Sequence, residues 1–125
     1  CECAVAFGAA GKKVTVVEML PKVLPDCNIL YRGGLMPELE KYATVITGAR
    51  AKAVTDVGLV YTDGEGKEHT VQADTVVLAA GYRANTAAVD ALADLVPETY
   101  IVGDSNGPAR IAQAMSAGHY AAKYL

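Results

Sequence analysis

The stretch that most constrains this chain is Lys13 to Glu18, Lys-Val-Thr-Val-Val-Glu, an apolar run that ends in a carboxylate. It reads as a strand preceded by a short Ala-rich helix, the middle of a nucleotide-binding βαβ unit. In such a unit an acidic side chain at the tip of the second strand accepts hydrogen bonds from the adenosine ribose, roughly 20 residues after a glycine-rich turn. The acid is present here and the glycine-rich turn is not. The expectation is therefore a dinucleotide-binding chain that begins just downstream of the loop for the pyrophosphate.

The chain on either side fits that reading. Cys1 to Ala10 is predicted helical, with Ala4, Val5 and Phe7 on its apolar side and Gly11 at the left-handed position where helices commonly end. Small residues at Ala4, Gly8 and Gly11 let this helix lie close to a sheet. Met19 to Asp26 carries Pro21 and Pro25 and is predicted irregular, with Asp26 or Asn28 available to cap the next helix. From Asn28 to Tyr42, Leu30, Leu35 and Leu39 form a helical stripe interrupted by Gly33, Gly34 and Pro37, so two short helices or one kinked helix are expected.

From Ala43 the apolar period becomes alternating. Val45 and Ile46, Ala51 to Thr55, Gly58 to Thr62, Glu68 to Gln72 and Thr75 to Ala79 read as strands, with a hairpin turn at Asp63 to Gly66. The charged hairpin suits a surface ribbon, whereas the continuous apolar run Thr75 to Ala79 suits a strand covered on both faces. A short helix over Thr86 to Leu95, a last strand over Thr99 to Val102 and a helix from about Ala109 to Leu125 complete the prediction.

Composition excludes several classes. With 52% hydrophobic residues, mean hydropathy +0.21 and 12 glycines, the 125-residue chain is interior-rich α/β material and not a disordered one. The net charge of −3 and scattered Lys and Arg argue against nucleic acid. No apolar run reaches the roughly 18 residues of a membrane helix, so a soluble, cytoplasmic protein is expected. Cys1, Cys3 and Cys27 lack the spacing of a zinc or redox site, and no metal site is predicted.

Each candidate site residue has a plainer reading beside the functional one. Glu18 favours NAD over NADP, because a 2′-phosphate would be repelled there, or it is a solvated strand-end acid. Gly81 ends the predicted strand in Leu78-Ala79-Ala80-Gly81 with backbone a ligand can approach, or it is a turn glycine. Gly103 and Asp104 precede a loop and a long helix, so Asp104 takes a polyol hydroxyl or else stabilises the loop and caps the helix. His69 and His119 have no partner at a telling spacing. There is no nucleophile motif and no catalytic side chain is assigned, so any reaction must be the cofactor's.

Gly11 to Pro21, Ala73 to Arg83 with Asn85, and Tyr100-Ile101-Val102-Gly103-Asp104 together resemble the C-terminal region of flavin-dependent enoate and 2,4-dienoyl-CoA reductases, two-dinucleotide-binding-domain flavoproteins. The match runs through essentially the whole chain in order. It implies a truncated NAD(H)-binding subdomain over residues 1–85 and a C-terminal return segment of the FAD-binding domain over 86–125. It further implies that Asp104 meets the ribityl–phosphate part of FAD, and that Arg110, Ile111 and Ala114 approach the isoalloxazine ring. Reductases of this type carry FMN and an iron–sulfur cluster on an N-terminal barrel, which the resemblance places outside this chain.

The fold class expected is thus α/β, a partial doubly wound, Rossmann-like parallel sheet with an antiparallel ribbon insertion, its first strand and glycine-rich turn missing. The function expected is a fragment of an NADH-dependent, FAD-containing reductase that works with the rest of its parent protein. The alternative is a non-catalytic folding or assembly module with no cofactor binding of its own. Loss of a central strand leaves edges unpaired. Either Thr99 to Gly103 fills the vacancy or a second chain pairs there to form a homo-oligomer.

Overall fold

In a computed structural model of the chain, residues 1–93 and 95–124 are described. They fall into two units, Cys1–Val77 and Leu78–Leu125. Helix α1 (Glu2–Ala9) opens the first and stops as its sequence predicts. Gly11 sits at φ +82, and with it the amides of Gly11 and Lys12 fold back onto the carbonyls of Gly8 and Phe7 at 2.9 and 3.0 Å. These two hydrogen bonds close the helix end and turn the chain into strand β1 (Val14–Val17). Open space surrounds Gly11, so conformation and not packing requires a glycine there. Gly8 is the packing glycine, since a Cβ on it would fall 2.3 Å from the Tyr42 carbonyl oxygen.

Helix α2 (Ile29–Tyr42) is a single helix, not two. Asn28 is its cap: Oδ1 accepts from the amides of Leu30 and Tyr31 at 2.9 and 3.4 Å. Pro37 lies inside the helix and removes one backbone donor, but the helix continues because its far end is held by the core. Leu39 is fully buried against Ala4 and Val23, with Met36, Val14, Val16, Ala43 and Val45 around them. The Tyr31 hydroxyl also donates to Glu2 Oε1 at 3.0 Å, tying α2 to α1.

The chain leaves α2 directly into strand β2 (Ala43–Ile46), which pairs parallel to β1, Val14 beside Ala43 through Val17 beside Ile46. Val14, Val16, Ala43 and Val45 therefore share one face, the face that α1 and α2 cover. β1, α2 and β2 thus form a βαβ unit in which Lys13 to Glu18 supplies the first strand, whereas the sequence predicts it as the second strand of a unit whose helix is α1.

Strands β3 (Arg50–Thr55), β4 (Gly58–Thr62) and β5 (Glu68–Gln72) form a separate antiparallel ribbon with β4 in the middle, as expected. The register slips between Ala51 and Ala53, making Lys52 the extra residue of a bulge. Lys52 forms an ion pair with Glu68 across the ribbon.

Asp63 organises the β4–β5 turn. Its Oδ1 accepts from the amides of Glu65 and Lys67 at 3.0 and 2.9 Å, and its Oδ2 lies 2.7 Å from His69 Nε2. His69 stacks on Tyr61, ring centroids 5.2 Å apart. The bond with His69 and then those with the backbone hold the Asp63 carboxyl below the usual aspartate value of 3.8. A carboxyl depressed in the folded state stabilises the turn above its unfolded pKa and loses that contribution as pH falls through the folded value. The protection factors of the Glu65 and Lys67 amides should accordingly be flat near neutrality and fall only below about pH 4. The carboxyl carbon of Asp63, followed by NMR, should titrate with a midpoint below 3.8. A midpoint at or above that value would show that these bonds do not hold the turn.

Two predicted strands do not form. Thr75 to Ala79 is irregular and exposed save for half-buried Val76, and Thr99 to Val102 is irregular and exposed throughout. A strand needs a neighbour for its backbone groups, and among the described residues β1 pairs with β2 alone. The expectation that Thr99 to Gly103 fills the vacant edge is thus overturned. That segment runs instead into a short 3-10 turn (Gly103–Asn106).

The second unit contains helix α3 (Thr86–Ala93), this turn and helix α4 (Ile111–Tyr124). The predicted end of the first helix, Leu95, lies in a turn beyond α3, while Asp94 and the predicted end of the last helix at Leu125 lie outside the described residues. Among its described residues none is buried, and Ile111, Met115 and Tyr82 are 80, 71 and 88% exposed. Among the described residues, no helix of the chain is long and apolar enough to cross a membrane.

Candidate functional site

Glu18 lies one residue beyond β1, at the carboxyl end of the parallel pair, where open α/β sheets bind ligands. Its amide donates to the Ile46 carbonyl at 2.8 Å, and its carbonyl accepts from Ala49 at 3.0 Å. The half-buried carboxylate turns back on the next loop, where Oε1 accepts from the Leu20 amide at 2.8 Å. Oε2 takes no hydrogen bond from a described residue. One oxygen is thereby anchored and the other presented, which suits a carboxylate that must grip a sugar hydroxyl.

The loop carrying Glu18 is rooted in the core. Val23 is buried beside Leu39 and Ala4, and Leu24 packs against them with its backbone at φ +54. A bulky residue at positive φ is strained, and its packing holds it there. The exposed flank Met19 and Leu20 offers apolar surface next to the carboxylate. A glycine-rich turn that would hold a pyrophosphate is not found ahead of α1 in these 125 residues.

The other candidates lie in the second unit. Gly81 has φ +82 and open space around it, but it follows an exposed irregular segment and so does not end a buried strand. Gly103, at φ +64, enters the 3-10 turn. Asp104 closes that turn: its carbonyl accepts from Gly107 at 3.2 Å and its Oδ1 from Ala109 at 3.4 Å. It stabilises the loop ahead of α4, as the plainer reading has it. The Arg110 carbonyl accepts from Gln113 and Ala114, and Ile111 begins α4 fully in the open. Gly103, Asp104, Arg110, Ile111 and Ala114 are thus brought together on one turn and the helix after it.

Sequence reasoning missed the turn at Gly48 and Ala49, whose amides hold the Glu18 loop, although a glycine directly after a strand was a readable signal. It also missed the Asp63–His69 bond, which becomes visible once the hairpin register sets Tyr61 opposite His69. An apolar groove between α1 and α2, lined by Val5, Leu30 and Leu35, does not include Glu18. The three cysteines are free thiols, and among the described residues no group of His, Cys, Asp and Glu could hold a metal ion.

A βαβ unit with a carboxylate at the strand tip, followed by an antiparallel ribbon, defines a Rossmann-like class of α/β protein. The chain belongs to the pyridine nucleotide-disulphide oxidoreductase family, which matches residues 1–121 and whose members bind FAD and NAD(H). It is 34% identical to a bilirubin reductase of Mediterraneibacter gnavus, over 99% of this chain and 20% of that protein. It is 30% identical to a dihydrolipoyl dehydrogenase of Acholeplasma laidlawii, over 85% of this chain and 36% of that protein. An NADH oxidase of Thermoanaerobacter brockii is also 30% identical, over 94% of this chain and 18% of the other.

Among solved structures, a 2-naphthoyl-CoA reductase superposes with a TM-score of 0.75 at 29% identity, covering 93% of this chain and 18% of that one. The chain thus spans about a fifth to a third of the length of these relatives. The resemblance to flavoprotein reductases holds, and the relatives are oxidoreductases.

Proposed function

We propose that this chain supplies the adenosine end of an NAD(H) site and a C-terminal part of an FAD site within a longer NADH-dependent flavoprotein reductase. The observation that carries this is Glu18, anchored through Oε1 to Leu20 with Oε2 presented at the carboxyl end of β1. A carboxylate so held accepts hydrogen bonds from the 2′-hydroxyl of an adenosine ribose and repels a 2′-phosphate. On the flavin side, Asp104 would take a hydroxyl of the ribityl–phosphate region, with Gly103, Arg110, Ile111 and Ala114 beside it, and Gly81 would offer backbone that a cofactor can approach. When bound, the cofactors supply hydride transfer from NADH to FAD. In the enoate and 2,4-dienoyl-CoA reductase type the electrons end on an activated C=C bond. Two of the relatives are named as reductases of unsaturated substrates, bilirubin and 2-naphthoyl-CoA, which favours that type.

Surface exposure supports a place within a larger assembly. In the second unit, large apolar side chains on α3 and α4, among them Leu92, Ile111 and Met115, are exposed, and a flavin domain and the remainder of the reductase would cover them.

Titrating the chain with NADH should move the amide signals of Glu18, Leu20 and Gly81. Glu18→Ala should weaken that binding by roughly tenfold or more, the worth of a charge-assisted hydrogen bond. No shift at millimolar NADH in the unsubstituted chain would overturn the reading of Glu18 as a ribose acceptor in this chain.

A further inference from the structure

The Glu18 loop is held by the turn that follows β2. Strand β2 ends at Ile46, and the next residues double back beside the loop after β1. Ile46 accepts from the Glu18 amide at 2.8 Å, Ala49 donates to the Glu18 carbonyl at 3.0 Å and Gly48 donates to the Leu20 carbonyl at 2.9 Å. Leu20 in turn donates to Glu18 Oε1 at 2.8 Å. These four bonds form a closed circuit. The turn fixes the backbone of residues 18–20, and that backbone fixes the carboxylate.

The circuit depends on two residue choices. Gly48 sits at φ +66 with nothing within 4 Å of where a Cβ would stand. Its requirement is therefore purely conformational, and a β-branched residue there would drive the backbone out of the left-handed region and swing the Gly48 amide off Leu20. Ala49 is 1% exposed, so the turn is seated in the protein and cannot drift to follow the loop.

We propose that Gly48 and Ala49 are positioning residues for cofactor selection: through Leu20 they hold the Glu18 carboxylate in the rotamer that accepts a ribose 2′-hydroxyl and excludes a 2′-phosphate. The inference rests on the reading of Glu18 given above. It places discrimination between NADH and NADPH partly in a turn about 30 residues along the chain that need not touch the ligand. A freed Glu18 side chain samples several rotamers, loses its fixed acceptor and can swing away from a phosphate, so both halves of the preference weaken together.

The test is a titration of the chain with NADH and with NADPH, read from the amide signals of Glu18 and Leu20. The unsubstituted chain should prefer NADH, and Glu18→Gln should remove most of that preference. Gly48→Val should lower it by roughly tenfold, weakening NADH and strengthening NADPH. Gly48→Asn should keep it, because asparagine tolerates the left-handed conformation. The amide signals of Val14 to Val17 and of β4 establish that each variant is folded, and Gly48→Ala is read in the same way if the valine variant is not.

A folded Gly48→Val or Gly48→Ala chain that keeps the full preference, while Glu18→Gln loses it, overturns the positioning role and leaves the Glu18 reading standing. An unsubstituted chain with no preference removes the Glu18 reading, and the positioning role falls with it.

Discussion

Replacing Leu39 by alanine should remove about 2–5 kcal/mol of stability from the first unit. Leu39 is the one large side chain fully sealed from solvent among the described residues. It forms one buried cluster with Ala4 of α1 and Val23 of the loop after β1, and Val14, Val16 and Val45 of the sheet pack against that cluster. Most of these partners are short or β-branched and fixed to regular elements, which limits their collapse into the space left behind.

A unit of this size has a total stability of roughly 4–12 kcal/mol, so one such loss is a large share of it. Urea unfolding should show a lower midpoint with an unchanged slope. Because Val23 belongs to the same core, amides of residues 19–24 should also exchange faster in the variant, linking core packing to the loop that carries Glu18. A loss below 1 kcal/mol would mean that Leu39 is not the keystone of this core.

Gly58→Val should unfold the ribbon. Gly58 opens β4 at φ +137, and a Cβ there would stand 2.1 Å from the Val71 carbonyl oxygen and 2.7 Å from the Ala73 nitrogen. Both obstacles are backbone atoms of the paired strand, so no side-chain rotation relieves them. The disallowed backbone and the overlap together cost about 3 kcal/mol or more. A ribbon of three short strands has little to offset that.

Gly66→Ala is the matched control. Gly66 also has positive φ, +83, but nothing lies within 4 Å of its Cβ position, and the cost there is about 1 kcal/mol. In the Gly58 variant, protection should vanish from Leu59 to Tyr61 and from His69 to Val71 while β1 and α2 keep theirs. Retained protection across β4 would sink the argument.

The elements legible in the sequence were those whose reasons are local. Gly11 announces the end of α1 because only a residue at ease with positive φ can close that helix and turn into β1. Asn28 announces the start of α2 because its side chain reaches amides two and three residues on. The alternation from Gly58 to Gln72 around an Asp-Gly-Glu-Gly turn defines a hairpin without help from the rest of the molecule. Glu18 at the tip of a short valine-rich strand was legible for the same reason.

What stayed hidden depends on neighbours. Pro37, Gly33 and Gly34 argue against a continuous helix, yet α2 is continuous because Met36 just before the proline and Leu39 beyond it are held in the core. Thr75 to Ala79 has the composition of a buried strand, but a strand exists only where another lends it hydrogen-bond partners, and within the described chain none does. The same holds for Thr99 to Val102. His69 appears partnerless along the sequence because Asp63, six residues away, becomes its neighbour only when the turn closes.

The sequence by itself determined the class of fold, the βαβ unit with its ribbon, and the carboxylate that marks a nucleotide site, because short-range periodicity and turn chemistry encode these. Tertiary structure alone decided which apolar runs became strands, which residue seals the core, and that a turn at Gly48 and Ala49 grips the Glu18 loop. Those outcomes rest on hydrogen bonds and contacts between segments about 30 residues apart, whose partners no local pattern specifies.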